Sequence, residues 1–253
     1  MIGVFDSGSG GLTVLRAIAR RMPGSDYVYF GDIRNAPYGL KSREELSLLT
    51  IGAIERLRTL GATSIVSACN SVSASLAVSL FDTLALAPDR LIEMVGPTAS
   101  FFRDSSARIL LCATPATIDS EIYQNAFSMI GKQITVVPIP ELAGAVEEGK
   151  QGEVLERIIA SAFSGMSLCD FDVLVLACTH YPLALSEFKN VLPKSVAVFD
   201  PADVIADRIE KQWWSRETGA GALRFFISQD SAPFRSRVVD FFGSERCQIE
   251  VVQ

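Results

Sequence analysis

Apolar and polar positions along this chain follow two rhythms, a short buried run and a stripe of helical period, and the two alternate nearly throughout. IGVFD (2–6) is a brief apolar run followed by a glycine-rich turn. LTVLRAIARRM then sets Leu12, Leu15, Ile18 and Met22 on one helical face that Pro23-Gly24 ends. YVYF (27–30) reads as a second strand. Ser42-Arg43-Glu44-Glu45 is a capping box. It opens a helix with Leu46, Leu49, Ala53, Ile54, Leu57 and Leu60 on one stripe and Gly61 as its left-handed stop.

A strand and helix within SIVSACNSVSA (64–74) come next, then a strand near LIEMV (91–95), and Gly96-Pro97 is the expected crossing point. Beyond it the cycle restarts: strand RILLCA (108–113), a helix near 119–130, strand ITVVPI (134–139), helices between 140 and 166, and a strand in VLVLACTHYPL (173–183). Asp200-Pro201 reads as an N-cap followed by proline at the first helical position. The helix after it, with Val204, Ile205, Arg208, Ile209 and Trp213, returns the chain to its first half, where a strand–helix–strand over about 222–252 belongs. Strands alternating with helices predict an α/β fold with mainly parallel sheets flanked by helices and a ligand cleft at the strands' carboxyl ends. The expected division is 1–96 plus about 208–253 in one lobe and 97–207 in the other.

Two of these segments repeat each other. SIVSACNSVSA and VLVLACTHYPL are both apolar runs ending in Ala-Cys, followed by small hydroxyl or amide residues. Each reads as a buried strand delivering a thiol, Cys69 or Cys178, where the chain turns into a helix. The positive end of the helix there favours thiolate. Two matched thiols suggest chemistry with two equivalent faces.

Composition narrows the partners. The 253 residues carry 29 acidic and 23 basic side chains, a formal −6, with no basic block, which argues against a nucleic-acid or anionic-membrane surface. No run is long and apolar enough to span a membrane, and MIGVFDSGSGG lacks the basic region of a signal peptide. It is expected to start a strand at once, with no room for a regulatory extension. Five cysteines without an export signal read as reduced cytosolic thiols. Cys112 and Cys247 read as small buried strand residues and Cys169 as a loop residue. With no CxxC pair or histidine cluster, no metal site is expected.

The turn Asp6-Ser7-Gly8-Ser9-Gly10-Gly11 is neither a dinucleotide fingerprint, because Thr13 stands where the third glycine belongs, nor a phosphate loop, because Gly-Lys-Ser/Thr is absent. Asp6, polar at the end of an apolar strand, is either a cap for this turn or a site acid or base. His180, the only histidine, sits two places after Cys178 and is suited to orient or protonate at neutral pH. Asn70, Ser71 and Thr179 follow the two cysteines and offer neutral donors for a carboxylate. Thr114-Pro115-Ala116-Thr117 sits at another strand-to-helix junction and offers hydroxyls to the same ligand. Pro37-Tyr38-Gly39 reads as a turn and Glu147 as a solvated helix carboxylate on composition alone.

Taken together, Asp6-Ser7-Gly8…Gly10-Gly11-Leu12, Pro37-Tyr38-Gly39, Ala68-Cys69-Asn70-Ser71, Ala113-Thr114-Pro115-Ala116-Thr117 and Cys178-Thr179-His180-Tyr181-Pro182 resemble the cofactor-independent aspartate/glutamate racemase superfamily, and within it the glutamate racemases, across essentially the whole chain. The resemblance implies two pseudo-symmetric lobes with the site between them, and interconversion of L- and D-glutamate in the cytoplasm to supply peptidoglycan. It implies Cys69 and Cys178 as the two acid/bases, with Asp6, Glu147 and His180 assisting. Ser7, Pro37, Tyr38, Gly39, Asn70, Ser71, Thr114, Thr117 and Thr179 are implied around the substrate. Glu148 is a neighbouring candidate for the role of Glu147. Departures are small: Ser71-Val72 stands for the usual Thr-Ala, and Ala177 for a glycine before Cys178. No lysine falls in these motifs, so no pyridoxal or other cofactor is expected. A homodimer is compatible with the resemblance. Alternatives are a racemase of aspartate or a hydantoin, a hydrolase with Cys178 as nucleophile and His180 as base, and a non-catalytic amino-acid-binding module.

Overall fold

A computed structural model describes residues 1–73, 87–244 and 247–252 of the chain. Its strands form two wholly parallel sheets. The first contains β1 (Ile2–Asp6), β2 (Tyr27–Gly31), β3 (Ser64–Ser67), β4 (Leu91–Glu93), β9 (Leu223–Ile227) and β10 (Cys247–Val251) in the order β10-β9-β2-β1-β3-β4. The second contains β5 (Ile109–Ala113), β6 (Ile134–Pro138), β7 (Val173–Ala177) and β8 (Ala197–Phe199) in the order β6-β5-β7-β8. The run β2-β1-β3-β4 and the run β6-β5-β7-β8 are one topology used twice, with β3 equivalent to β7.

Both faces of each sheet are covered, so the strands are continuous apolar runs rather than alternating ones. In β1, Ile2 and Val4 pack with helices Leu12–Arg21 and Ala202–Trp213, while Phe5 joins Val28, Ile65 and helix Arg43–Thr59 on the other side. In β7, Leu174 and Leu176 face helices Leu142–Glu147, Glu153–Ala162 and Leu185–Val191, while Val173 and Val175 face Tyr123 and Phe127. The helix Ala202–Trp213 buries Ile205, Ile209 and Trp213 in the first sheet's core from its first turn.

The predicted capping box forms, with Glu45 N–H donating to Ser42 Oγ at 3.2 Å and Ser42 N–H to Glu45 Oε2 at 2.9 Å. Gly61 ends that helix at φ +95°. Asp200 Oδ1 accepts from Ala202 N–H at 3.0 Å, so Asp200 caps the helix that starts one residue later than expected.

Two expectations are corrected. The helix near 119–130 is two, Pro115–Asp119 and Ile122–Met129, broken where Glu121 takes a left-handed φ of 55°. The strand near 91–95 stops at Glu93. Its carboxylate caps Val95 and Gly96 N–H at 2.5 and 2.8 Å, so Gly96-Pro97, the expected crossing point, lies in the first turn of helix Val95–Phe101. Proline is tolerated there because first-turn amides have no intrahelical partner. The helix after Cys69 is described to Ser73, and its continuation lies outside the described residues, as does the side chain of Cys247.

Candidate active site

The carboxyl ends of the two sheets face each other, and the topological repeat sets the cysteines in register. Ile2 of β1 pairs with Ser64 of β3, and Ile109 of β5 pairs with Val173 of β7. Counting from those partners, Cys69 (64 + 5) and Cys178 (173 + 5) occupy the same position. Ser7 and Thr114, five places after Ile2 and Ile109, are equivalent hydroxyls. The repeat breaks at Asp6, which answers to Ala113, and at His180, which answers to Ser71.

Both thiols line one cavity of about 160 Å³. That is close to the ~150 Å³ cavity that holds one benzene-sized molecule, so it suits a small metabolite and not a nucleotide. Ser7, Pro37, Tyr38, Gly39, Asn70, Ser71, Thr114, Glu147, Glu148, Thr179 and His180 line it too, with Ile33, Ala36, Ala143 and Gly144. No lysine or arginine is among the described lining residues, which leaves neutral donors to meet a carboxylate.

Two expected site residues stand behind the wall. Asp6 is fully buried; its Oδ1 accepts from Gly8 N–H and its Oδ2 from Thr179 Oγ1, each at 2.9 Å. Thr117 is buried against Thr114 Oγ1 at 3.1 Å, and Thr114 meets Ser71 Oγ at 2.9 Å. The Thr179–Asp6 and Thr114–Ser71 contacts both cross from one sheet to the other.

The glycine-rich turn packs against the opposite sheet's loop. A Cβ on Gly10 would lie 2.6 Å from Thr179 Oγ1 and 2.7 Å from His180 Nδ1. Gly39 meets Thr114 in the same way, at 2.6 Å from its Cβ. Tyr38, in the same turn, donates to Asp32 at 2.5 Å.

The surroundings of the two thiols differ. Burial and the neighbouring Asp6 carboxylate push the Cys69 thiol up to about 12, so it is protonated at neutral pH. The helical turn whose dipole favours thiolate is in place at Asn70, but desolvation and the Asp6 charge act against it. Burial also raises the Asp6 carboxyl. Cys178 lines the cavity beside His180, whose Nε2 lies 2.6 Å from Glu147 Oε2. Burial opposes charge on His180, but Cys178 and Glu147 together hold its pKa well above the usual value. Burial likewise opposes the Glu147 carboxylate, yet His180 and Ser9 bring it down to about 2. The pair is an imidazolium–carboxylate pair, and Glu147 is not the solvated helix residue that its composition suggests.

Several participants escape a reading of the sequence. Ser9 donates from N–H and Oγ to Glu147 Oε2 at 3.0 and 2.7 Å. Asp32 holds Tyr38, and Tyr123 holds Asn70 Oδ1 at 2.5 Å. Asp32 had a signal, a carboxylate just past a buried strand as at Asp6. Tyr123 and Arg237, which bonds Ser9 Oγ, had none, since they reach the site only through packing. Cys112 is buried in the second sheet's core and Cys169 is exposed, so neither belongs to the site.

These features define a class: a parallel α/β protein whose two sheets, built on one repeated topology, close their strand ends around a single small-molecule cavity. Residues 2–209 match the family model of the Asp/Glu/hydantoin racemases, and the chain belongs to that family. The glutamate racemase of Koribacter versatilis (strain Ellin345) is 36% identical over 216 residues, 84% of this chain and 74% of that protein. Among solved structures, the glutamate racemase isoform RacE1 of Bacillus anthracis is 26% identical with a TM-score of 0.86, covering 100% of this chain and 97% of that one. The Francisella tularensis glutamate racemase in complex with D-glutamate is 27% identical with a TM-score of 0.85, again covering 100% and 97%.

Proposed function

We propose that this chain is a glutamate racemase acting without a cofactor, and that Cys69 and Cys178 are its two acid/bases. The observation that carries this reading is the pair of thiols at equivalent strand ends of two repeated sheets, lining one small cavity. Racemisation removes the Cα proton on one face and returns a proton on the other, so a thiol on each side meets the stereochemistry. In one direction Cys178, beside the His180–Glu147 pair, takes the proton and the protonated Cys69 delivers one; the reverse direction exchanges them. The developing carbanion-like charge is met by the neutral donors of the wall, in a site largely closed to water.

Asp6 acts from behind the wall, through Thr179 and as the charge next to Cys69. Ser7, Asn70, Ser71 and Thr114 receive the carboxylates, Thr179 lines the pocket with its hydroxyl proton given to Asp6, Thr117 orients Thr114, and Pro37, Tyr38 and Gly39 close the pocket. Glu147 fits the assisting role better than Glu148 because it alone of the two bonds His180. The division into lobes 1–96 plus about 208–253 and 97–207 is supported by the two sheets, with the helix Ala202–Trp213 already packed on the first. The same reading places the reaction in the cytoplasm, feeding peptidoglycan, with a homodimer as the assembly that light scattering tests.

Circular dichroism of purified protein given D- or L-glutamate, with aspartate as control and nothing added, tests the activity. Loss of optical activity from either glutamate enantiomer is expected. Optically stable glutamate in both tubes overturns the reading, and racemisation of aspartate in preference moves the chain to the other acidic substrate.

A further inference from the structure

We infer that Arg237 is a positioning residue of this site: from the helix Ala232–Phe242 its guanidinium ties the turn at Ser9 to the end of helix Leu142–Glu147 and so fixes the carboxylate that pairs with His180. One nitrogen donates to Ser9 Oγ and the other to the backbone oxygen of Val146. Ser9 belongs to the first sheet's loop and Val146 to the second sheet's helix layer, so the fork spans the cleft. Only a planar guanidinium offers two rigid donors to two such acceptors. Arg237 and Glu147 are 16% and 14% exposed and lie 3.8 Å apart, closer to the interior than to water.

The geometry has a direct consequence for Ser9. Its hydroxyl accepts from Arg237, so its own proton is free to donate to Glu147 Oε2 at 2.7 Å. Oε2 gathers Ser9 N–H, Ser9 Oγ and His180 Nε2, while Oε1 is buried with no hydrogen-bond partner among the described residues. The carboxylate's orientation therefore rests on one oxygen, and Arg237 sets the polarity of a donor to it. Around the imidazole stand Glu147, the Cys178 thiol and Asp6; Arg237 and the Tyr29 phenol lie beyond Glu147.

His180 is the only histidine in the chain, so nitrogen-15 NMR of its ring gives a single, unambiguous titration. In Arg237→Gln the His180 midpoint is expected to fall by about one pH unit as Glu147 is released. In the same variant kcat should drop on the order of tenfold to a hundredfold, with KM changed less than about threefold, because a proton-transfer group is misplaced and not a substrate contact. Arg237→Lys keeps the charge but cannot span both acceptors, so it should recover only part of the midpoint and of kcat; it carries the same test if the glutamine variant fails to fold. A midpoint that stays or rises in both variants overturns the inference, since removal of a nearby cation alone would raise it. The activity arm rests on the racemase reading, but the titration needs no substrate. A wild-type protein that does not racemise glutamate would sink that reading and leave the Arg237 result standing.

Discussion

Tyr123, in the helix layer of the second sheet, donates its phenolic proton to Asn70 Oδ1 at 2.5 Å, beside Cys69 at the end of the first sheet. With its oxygen occupied, the amide keeps Nδ2 as a buried donor without a hydrogen-bond partner among the described residues, on a residue that lines the cavity. Tyr123→Phe removes that constraint while keeping the ring. The expected result is a KM for both glutamate enantiomers raised about fivefold, the equivalent of one hydrogen bond of about 1 kcal/mol, with kcat much less affected. Steady-state kinetics in both directions checks it, and an unchanged KM would remove Asn70 Nδ2 from substrate recognition.

The approach of the glycine-rich turn to the opposite loop gives a steric prediction. Gly10→Ala puts a methyl group 2.8 Å from His180 N and closer still to the Thr179 hydroxyl, and backbone cannot yield cheaply. Overpacking of this kind costs about 1–3 kcal/mol, and kcat/KM should fall at least about tenfold as Thr179 and His180 shift. Gly52, in the middle of helix Arg43–Thr59 with open space around it, is the control. There alanine should stabilise by about 0.5–1 kcal/mol and leave kinetics alone. Thermal melts and initial rates on the two variants separate the effects.

The His180–Glu147 pair makes stability depend on pH in a fixed sense. His180 has a folded pKa above its ordinary 6.5, so its contribution is complete below 6.5 and is lost as pH climbs through the folded value. Glu147 has a folded pKa lowered from 4.5 to about 2, so its contribution is complete above 4.5 and is lost as pH falls toward 2. The pair is therefore worth most between 4.5 and 6.5. The Tm difference between the wild type and Glu147→Gln should peak in that window and shrink on both sides. A difference that stays flat from about pH 3 to about pH 9 would rule out the ion pair.

The two-thiol mechanism predicts an isotope pattern. In D₂O each enantiomer should yield product deuterated at Cα while the unreacted substrate stays protiated early in the reaction, because the proton taken and the proton given belong to different thiols. Cys69→Ser and Cys178→Ser should each lose roughly 10²–10⁴ of the racemisation rate, the span of a positioned acid or base. Proton NMR follows both. Rapid deuteration of remaining substrate by the wild type would point to a single base.

The exposed Cys169 thiol and the buried Cys69 thiol differ in reactivity as well as in place. Cys69 is protonated at neutral pH and shielded, so iodoacetamide should label Cys169 well before it. Peptide mass spectrometry at short times reads the order, and first labelling at Cys69 would mean that its environment favours thiolate after all.

Near neighbours along the chain were enough to specify several features. The alternating apolar runs specified parallel strands buried on both faces, the serine–glutamate box and Gly61 delimited a helix, and the repeated Ala-Cys strand ends placed two thiols at matching positions. Local signals also marked His180 and Asp6, because a polar group at the end of a buried strand costs too much to be there by accident. Which partners those groups face is settled by folding alone. Burial and Asp6 protonate Cys69 where the helix end alone suggested thiolate. Ser9 and His180 turn Glu147 from a residue that looks solvated into a buried carboxylate, and Arg237 and Tyr123 come to the site across long stretches of chain. Desolvation and charge–charge coupling act through space at a few ångströms, and the order of residues carries no record of which of them will be neighbours.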